Sequence, residues 1–146
     1  MVFLAAAVPS YMLVLTLLAV ATPGSGLSGS ILDLVPSVWR EQAHLPAYGL
    51  LAYLVMWGLR RSDWSISSAI VAGLGITCLF GLYTELLQHG VPGREASLSD
   101  WLADAAGAIV AGGLLFVQTW ATRPAPCLVT ARPSSLARSW KGLWFR

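Results

Sequence analysis

The sequence predicts an all-α integral membrane protein, a four-helix bundle with both termini in the cytoplasm. Only 11% of the 146 residues are charged, whereas 56% are hydrophobic, and a soluble domain carries roughly 25% charged residues. The chain contains four long apolar stretches, and Lys and Arg are divided unevenly among the segments that flank them. These observations favour a membrane protein over a soluble one.

Each apolar stretch approaches the length that a helix needs to cross a hydrocarbon layer about 30 Å thick. Backbone polar groups find no water inside lipid, so we expect helices rather than strands. The first stretch is uncharged, the second stops at two arginines, the third has one acid near its end, and the fourth begins with two acids. The predicted helices span, in order, about residues 2–21, 46–59, 66–87 and 101–120.

Turn-forming residues dominate the segments between these helices. A Gly/Ser/Pro-rich loop covers residues 22–37, a basic turn covers residues 60–65, and a polar loop reads "HGVPGREASLS". We therefore assign residues 1–121 to one four-span membrane domain. Residues 122–146 are expected to form a basic, loosely ordered cytoplasmic tail whose Trp140 and Trp144 rest on the membrane surface.

The orientation follows from Lys and Arg, which stay preferentially on the cytoplasmic side of a membrane. Four spans place the turn after the second helix on the same side as both termini. That side then carries seven of the nine Lys and Arg residues, namely Arg60, Arg61, Arg123, Arg132, Arg138, Lys141 and Arg146. The outer side holds Arg40 and Arg94 and most of the acids. Cleavage of the first stretch as a signal after Ala21 remains an alternative, although no basic residue precedes it.

Polar residues gather where three predicted helix ends meet at the outer side. Residues three or four apart share a helix face, so each end presents one polar pair, and the loop before the fourth helix adds two polar side chains. These residues are His44 and Tyr48, Glu85 and Gln88, Asp100 and Asp104, with Arg94 and Ser97 from the loop. An ionisable residue near the membrane core is a functional-site hypothesis by default.

The spacing His44-x-x-x-Tyr48, then Glu85-x-x-Gln88, then "PGREASLSDWLADAAGA" resembles the VanZ-like family of small integral membrane proteins. That family is named for a member associated with resistance to the glycopeptide antibiotic teicoplanin. The resemblance covers about residues 44–112, with two departures: Arg40 lies further from His44 than the family's Lys, and Asp104 stands where the family tends to have Asn. It implies a multi-pass protein of the bacterial plasma membrane with an outer-face site, but no defined reaction.

Three functions remain open for this site. In an enzyme, His44 or Glu85 would be the general base, Asp104 the further catalytic candidate, and Arg94 would orient an anionic lipid-linked or cell-wall precursor. In a binding protein, the same outer-face site would hold an envelope ligand or a glycopeptide without turnover. The ligand would be contacted by Tyr48, Gln88, Arg94, Ser97 and Asp100.

In a structural protein, the polar cluster would only lock the bundle. Ser97 and Asp100 resemble a capping box, and an ion pair from Arg94 to Glu85 or Asp104 would satisfy the acids. Such a protein would contact its partner through the outer loop or the basic tail. Whether the chain forms oligomers is not indicated by the sequence.

Three acids against one His and one Arg leave a surplus of negative charge, so either an acid holds a proton or a cation joins the group. A His/Glu/Asp metal site nevertheless lacks a signature spacing, and we predict no metal and no cofactor. No nucleophile elbow, zincin helix or phosphate-binding glycine loop is present. Anionic lipid explains the basic tail better than nucleic acid, so the predicted partner is membrane lipid.

Overall fold

The computed structural model describes residues 2–22, 26, 34, 42–92, 94 and 96–122. Within those residues the chain contains four helices and no strand, which confirms the all-α, four-helix prediction. The helices are α1 (Val2–Ala19), α2 (His44–Arg61), α3 (Ile66–His89) and α4 (Leu98–Ala121).

The last three helices extend beyond the apolar stretches that predicted them. α2 begins at His44 and ends at Arg61, and α4 begins at Leu98. Hydropathy identifies only the apolar part of a helix. Polar residues at the helix ends can also have helical backbone, so the helices are longer than the apolar stretches. Pro46 is compatible with the start of α2 because N–H groups in the first turn of a helix have no hydrogen-bond acceptor within it, so the missing N–H of proline costs no bond. The polar residues His44, Glu85 and Asp104 therefore lie on regular helix.

A short turn returns the chain from α2 to α3. Asp63 adopts a left-handed conformation with φ 64°, which Asp tolerates better than most residues. Ser65 then caps α3, since its hydroxyl accepts a hydrogen bond from the Ser68 amide at 3.1 Å. The turn brings the end of α2 next to the start of α3, so the opposite ends, which hold the polar residues, can also meet.

α2 and α4 cross where two glycines face each other. A Cβ atom on Gly107 would lie 2.2 Å from the carbonyl oxygen of Leu45 and 3.0 Å from the amide nitrogen of Gly49. Small residues allow such a close approach of two helices. The adjoining core consists of Ala52, Met56, Ala108, Ala111 and Leu115.

The bundle places polar side chains inside and many large apolar ones outside. Among the described residues, the buried polar ones are Thr77, Thr84, Glu85, Gln88 and Asp104. In contrast, Val71 and Leu79 on α3 are 71% and 70% exposed, and a soluble protein rarely leaves large contiguous apolar surfaces uncovered. Two helices, α3 and α4, are long and apolar enough to cross a membrane.

Several predicted features lie outside the described residues. They include most of the loop at 22–37, the tail after Thr122, and charged residues used for orientation such as Arg40 and Glu95. The four-span topology and the side on which each terminus lies therefore stay predictions.

Candidate functional site

The candidate site lies where α2 begins, α3 ends and α4 begins. His44 is the first residue of α2, Glu85 lies one turn before the end of α3, and Asp104 lies in the second turn of α4. One potential ligand atom from each of these side chains lies within 4.8 Å of the other two. The structure thus brings together the three residues predicted as catalytic candidates, while their chemical roles stay a prediction.

His44 is held between two carboxylates. Its Nδ1 lies 3.0 Å from Oδ1 of Asp104, within hydrogen-bonding distance, and its Nε2 lies 3.9 Å from Oδ2 of Asp100. The ring also stacks on Tyr48, with centroids 5.8 Å apart and planes 2° from parallel. These contacts fix the orientation of the imidazole, and a histidine in this position can hold or exchange a proton at either nitrogen.

Tyr48 connects the histidine to α3. Its hydroxyl hydrogen-bonds the hydroxyl of Thr84, which in turn donates to the backbone carbonyl of Gly81 at 2.9 Å. Tyr48 is buried, and its described contacts hold the ring of His44 in place. A contact from Tyr48 to a ligand stays a prediction.

Thr84 is a residue of the cluster that the sequence pattern does not single out. The available signal was its position between Gly81 and Gln88, residues three and four away on the polar face of α3. A threonine in an apolar helix usually donates its hydroxyl to a backbone carbonyl of the preceding turn. Thr84 is within hydrogen-bonding distance of such a carbonyl, that of Phe80. Only the approach of Tyr48 from α2 reveals its second role.

Glu85 joins the end of α3 to the start of α4. Its Oε2 accepts a hydrogen bond of 2.8 Å from the backbone amide of Ser97, the residue that precedes α4. In a capping box, Asp100 would accept from that amide. The predicted capping box is wrong, because Ser97 makes no side-chain cap bond to the described part of α4 and Glu85 accepts from its amide instead.

The second oxygen of each buried acid has no hydrogen-bond partner among the described residues. These atoms are Oε1 of Glu85 and Oδ2 of Asp104. A Cβ on Gly81 would lie 2.7 Å from Oδ2 of Asp104, so glycine at this position makes room for the carboxylate. Buried polar atoms in native proteins are rarely left without a partner, so these two oxygens distinguish the cluster from a fully satisfied polar network.

Arg94 ties the loop between α3 and α4 to α1. Its Nη1 donates to the carbonyl oxygens of Leu18 and Ala19 at 3.1 and 2.9 Å, which satisfies acceptors that the end of a helix leaves open. The ion pair predicted from Arg94 to Glu85 or Asp104 is not tested by these bonds and stays a prediction. Gln88 is buried on the same side of α3 as Glu85, and its predicted ligand contact also remains untested.

An apolar groove of about 390 Å³ runs between α2 and α4, and His44, Glu85 and Asp104 are not among its lining residues. It is lined by Leu45, Leu50, Val110 and Leu114, among others. Leu45 adjoins His44, and the groove reaches Tyr53 and Gln118, whose side chains share a hydrogen bond of 2.9 Å. A hydrocarbon chain in this groove would therefore begin close to the polar cluster.

This end of the bundle combines a fixed histidine with two buried acids, each of which has one oxygen without a hydrogen-bond partner among the described residues. The apolar groove is separate from these side chains and is connected to them only through Leu45, the neighbour of His44 in sequence. Comparisons of the chain with protein-family models, curated proteins and solved structures found no match.

Proposed function

We propose that this chain is a VanZ-like, multi-pass protein of the bacterial plasma membrane. At its outer face, the cluster of His44, Glu85 and Asp104 binds or acts on a lipid-linked or cell-wall component, which contributes to tolerance of glycopeptides such as teicoplanin. The observation that carries this proposal is the convergence of these three side chains within 4.8 Å at one end of an apolar bundle.

The energetics of burial support a functional cluster. Removing a carboxylate from water is costly unless it gains partners. Glu85 and Asp104 are both buried, and one oxygen of each has no hydrogen-bond partner among the described residues. A group from a ligand can supply the missing partner. Such a ligand needs hydrogen-bond donors or positive charge, as sugar hydroxyls and amines of cell-wall components provide.

The groove supports a ligand that also has a hydrocarbon chain. The groove starts at Leu45, so a chain lying between α2 and α4 would hold its polar end near His44. His44 can accept a proton from that polar end, with Asp104 holding the imidazole in place. Arg94, which lies in the loop between α3 and α4 and donates to the end of α1, is the residue proposed to orient an anionic head group.

A structural role is the second candidate. The contact between His44 and Asp104 joins α2 to α4, and the bond from Ser97 to Glu85 joins α4 to α3. A cluster that only locks the bundle would be needed for folding and for nothing else.

The proposed topology has four spans with both termini in the cytoplasm. We expect green fluorescent protein fused after Arg146 to fluoresce and alkaline phosphatase fused there to be inactive, because the basic segments stay inside. The same reporters inserted after Gly90 should give the opposite result. An active phosphatase after Arg146 would contradict this topology.

We expect His44→Asn to abolish glycopeptide tolerance. The asparagine retains hydrogen bonding but cannot act as a base at neutral pH. The measurement is the minimal inhibitory concentration of teicoplanin in a susceptible host that expresses the parent, the variant or an empty vector. The parent should raise this concentration, and the variant should return it to the vector value.

His89→Asn is the matched control, since His89 is the other histidine of the chain and is exposed at the end of α3. It should behave as the parent. Membrane protein levels must be equal in all strains. The proposed role of His44 is rejected if its variant keeps full tolerance, and the glycopeptide assignment is rejected if the parent confers none.

A further inference from the structure

We infer that His44, Glu85 and Asp104 form a binding site for one divalent transition-metal ion, and that Zn²⁺ is the ion the side chains suit. The inference concerns the cluster itself and does not depend on the ligand proposed above. With zinc bound, His44 acts as a metal ligand in place of the base proposed above. A zinc ion would be held by residues from three helices, so it would also join α2, α3 and α4.

The first argument is the geometry of the potential ligand atoms. One nitrogen and two carboxylate oxygens lie within 4.8 Å of one another. Ligand atoms around a tetrahedral zinc ion, at about 2.1 Å from it, lie about 3.4 Å apart. The distances between the three ligand atoms therefore have to shorten by about 1.4 Å at most, which small side-chain rotations can achieve.

The second, independent argument is the state of the two acids. Glu85 is 4% exposed and Asp104 is 0% exposed, yet Oε1 of the first and Oδ2 of the second have no hydrogen-bond partner in the described part of the chain. Unpaired buried carboxylate oxygens are unfavourable. A cation in the cluster gives both acids a partner that the protein itself does not provide.

Charge points to a divalent ion. Metal ligands bind as a neutral imidazole and ionised carboxylates, so this set carries two negative charges. Zn²⁺ neutralises them. Imidazole suits zinc, whereas Mg²⁺ prefers oxygen ligands and retains several waters, so we expect Mg²⁺ to bind weakly.

Asp100 is placed to orient the metal-binding histidine. Metal-bound histidines usually donate their other ring N–H to a carboxylate or carbonyl. Oδ2 of Asp100 lies 3.9 Å from Nε2 of His44, on the opposite side of the ring from Asp104. With the ion on Nδ1, Nε2–H would point to Asp100, which is thus a positioning residue.

Three protein ligands leave a fourth position of a tetrahedral ion open. The side chain of His44 is 17% exposed, so the cluster is accessible from outside the protein. An exogenous water or an oxygen of a bound molecule can therefore complete the coordination sphere. This arrangement is typical of catalytic zinc sites, whereas structural sites have four protein ligands.

The test uses the full chain purified in detergent and stripped of metal with a chelator. Isothermal titration with ZnCl₂ and elemental analysis after dialysis should each give one zinc per chain. We expect His44→Asn, Glu85→Gln and Asp104→Asn to weaken binding at least about 100-fold, and Asp100→Asn to weaken it about 10-fold. MgCl₂ in large excess should not displace the zinc.

Two exposed residues provide matched controls, His89→Asn for the histidine and Asp63→Asn for the acids. Both variants should bind zinc as the parent does. Absence of zinc binding by the parent overturns the inference. So does binding that survives in all three ligand variants, because the ion then lies elsewhere in the chain.

A measurement on the parent alone covers the case in which ligand variants fail to fold. Zinc should raise the midpoint of thermal unfolding, and a chelator should reverse the rise. Co²⁺ in place of zinc should give a visible absorption spectrum of four- or five-coordinate nitrogen and oxygen ligation. A six-coordinate spectrum or no thermal shift would reject the site, whatever the outcome of the teicoplanin experiment.

Discussion

Gly107→Ala is expected to destabilise the bundle by about 3 kcal/mol, at the upper end of the usual cost of overpacking. The added methyl carbon would lie 2.2 Å from the carbonyl oxygen of Leu45, a distance that no rotamer change can relieve. The backbones of α2 and α4 would have to separate. We expect a lower midpoint in denaturant titrations of the detergent-purified protein followed by circular dichroism.

Gly113→Ala is the control for this experiment. Gly113 lies on the same helix, and a Cβ there would meet nothing within 4 Å. Alanine favours helix over glycine by about 0.5–1 kcal/mol, so this variant should be as stable as the parent or slightly more stable. Equal stability of the two variants would show that α2 and α4 do not approach as closely as the structure indicates.

The same crossing should affect the site. His44 comes just before Leu45 on α2, and Asp104 lies one turn before Gly107 on α4. The close approach of the two backbones is therefore what allows the His44 ring to reach the Asp104 carboxylate at 3.0 Å. Gly107→Ala should weaken zinc binding as well as stability, whereas Gly113→Ala should weaken neither.

Sequence reasoning predicted which polar side chains come together because that prediction needed only two coarse rules. Spacings of three and four residues put Glu85 and Gln88 on one face, and Asp100 and Asp104 on another. Alternating helix direction then brought these faces to the same end as His44. The structure agrees, with His44, Glu85 and Asp104 in one cluster.

The choice of hydrogen-bond partners could not be predicted in this way. The capping box pattern predicted that the Ser97 amide donates to Asp100. In the structure this amide donates to Glu85, which lies on another helix. Arg94 donates to the end of α1, at Leu18 and Ala19. Such contacts depend on distances between helices to within about 1 Å, since a hydrogen bond requires about 2.7–3.2 Å between its heavy atoms. Periodicity does not specify those distances.

Glu85→Gln is expected to leave folding intact and to abolish the proposed teicoplanin tolerance. This result would separate a functional site from a cluster that only locks the bundle. Glutamine has nearly the same shape, and its carbonyl oxygen can still accept from the Ser97 amide. The free energy of unfolding, measured with a chelator present, should therefore stay within about 1 kcal/mol of the parent. The loss of the carboxylate removes its negative charge and its capacity to exchange a proton.

Glu85→Leu provides the structural comparison. Leucine leaves the Ser97 amide without its acceptor, so we expect a loss of about 1–3 kcal/mol, the usual cost of a buried unsatisfied group. A site that works chemically loses tolerance in both variants, whereas a structural lock loses it only in the leucine variant, in proportion to stability. Full tolerance in a stable Glu85→Gln protein would therefore exclude the acid from the chemistry. The outcome can be read from two measurements on the same three proteins, the denaturation midpoint and the minimal inhibitory concentration of teicoplanin.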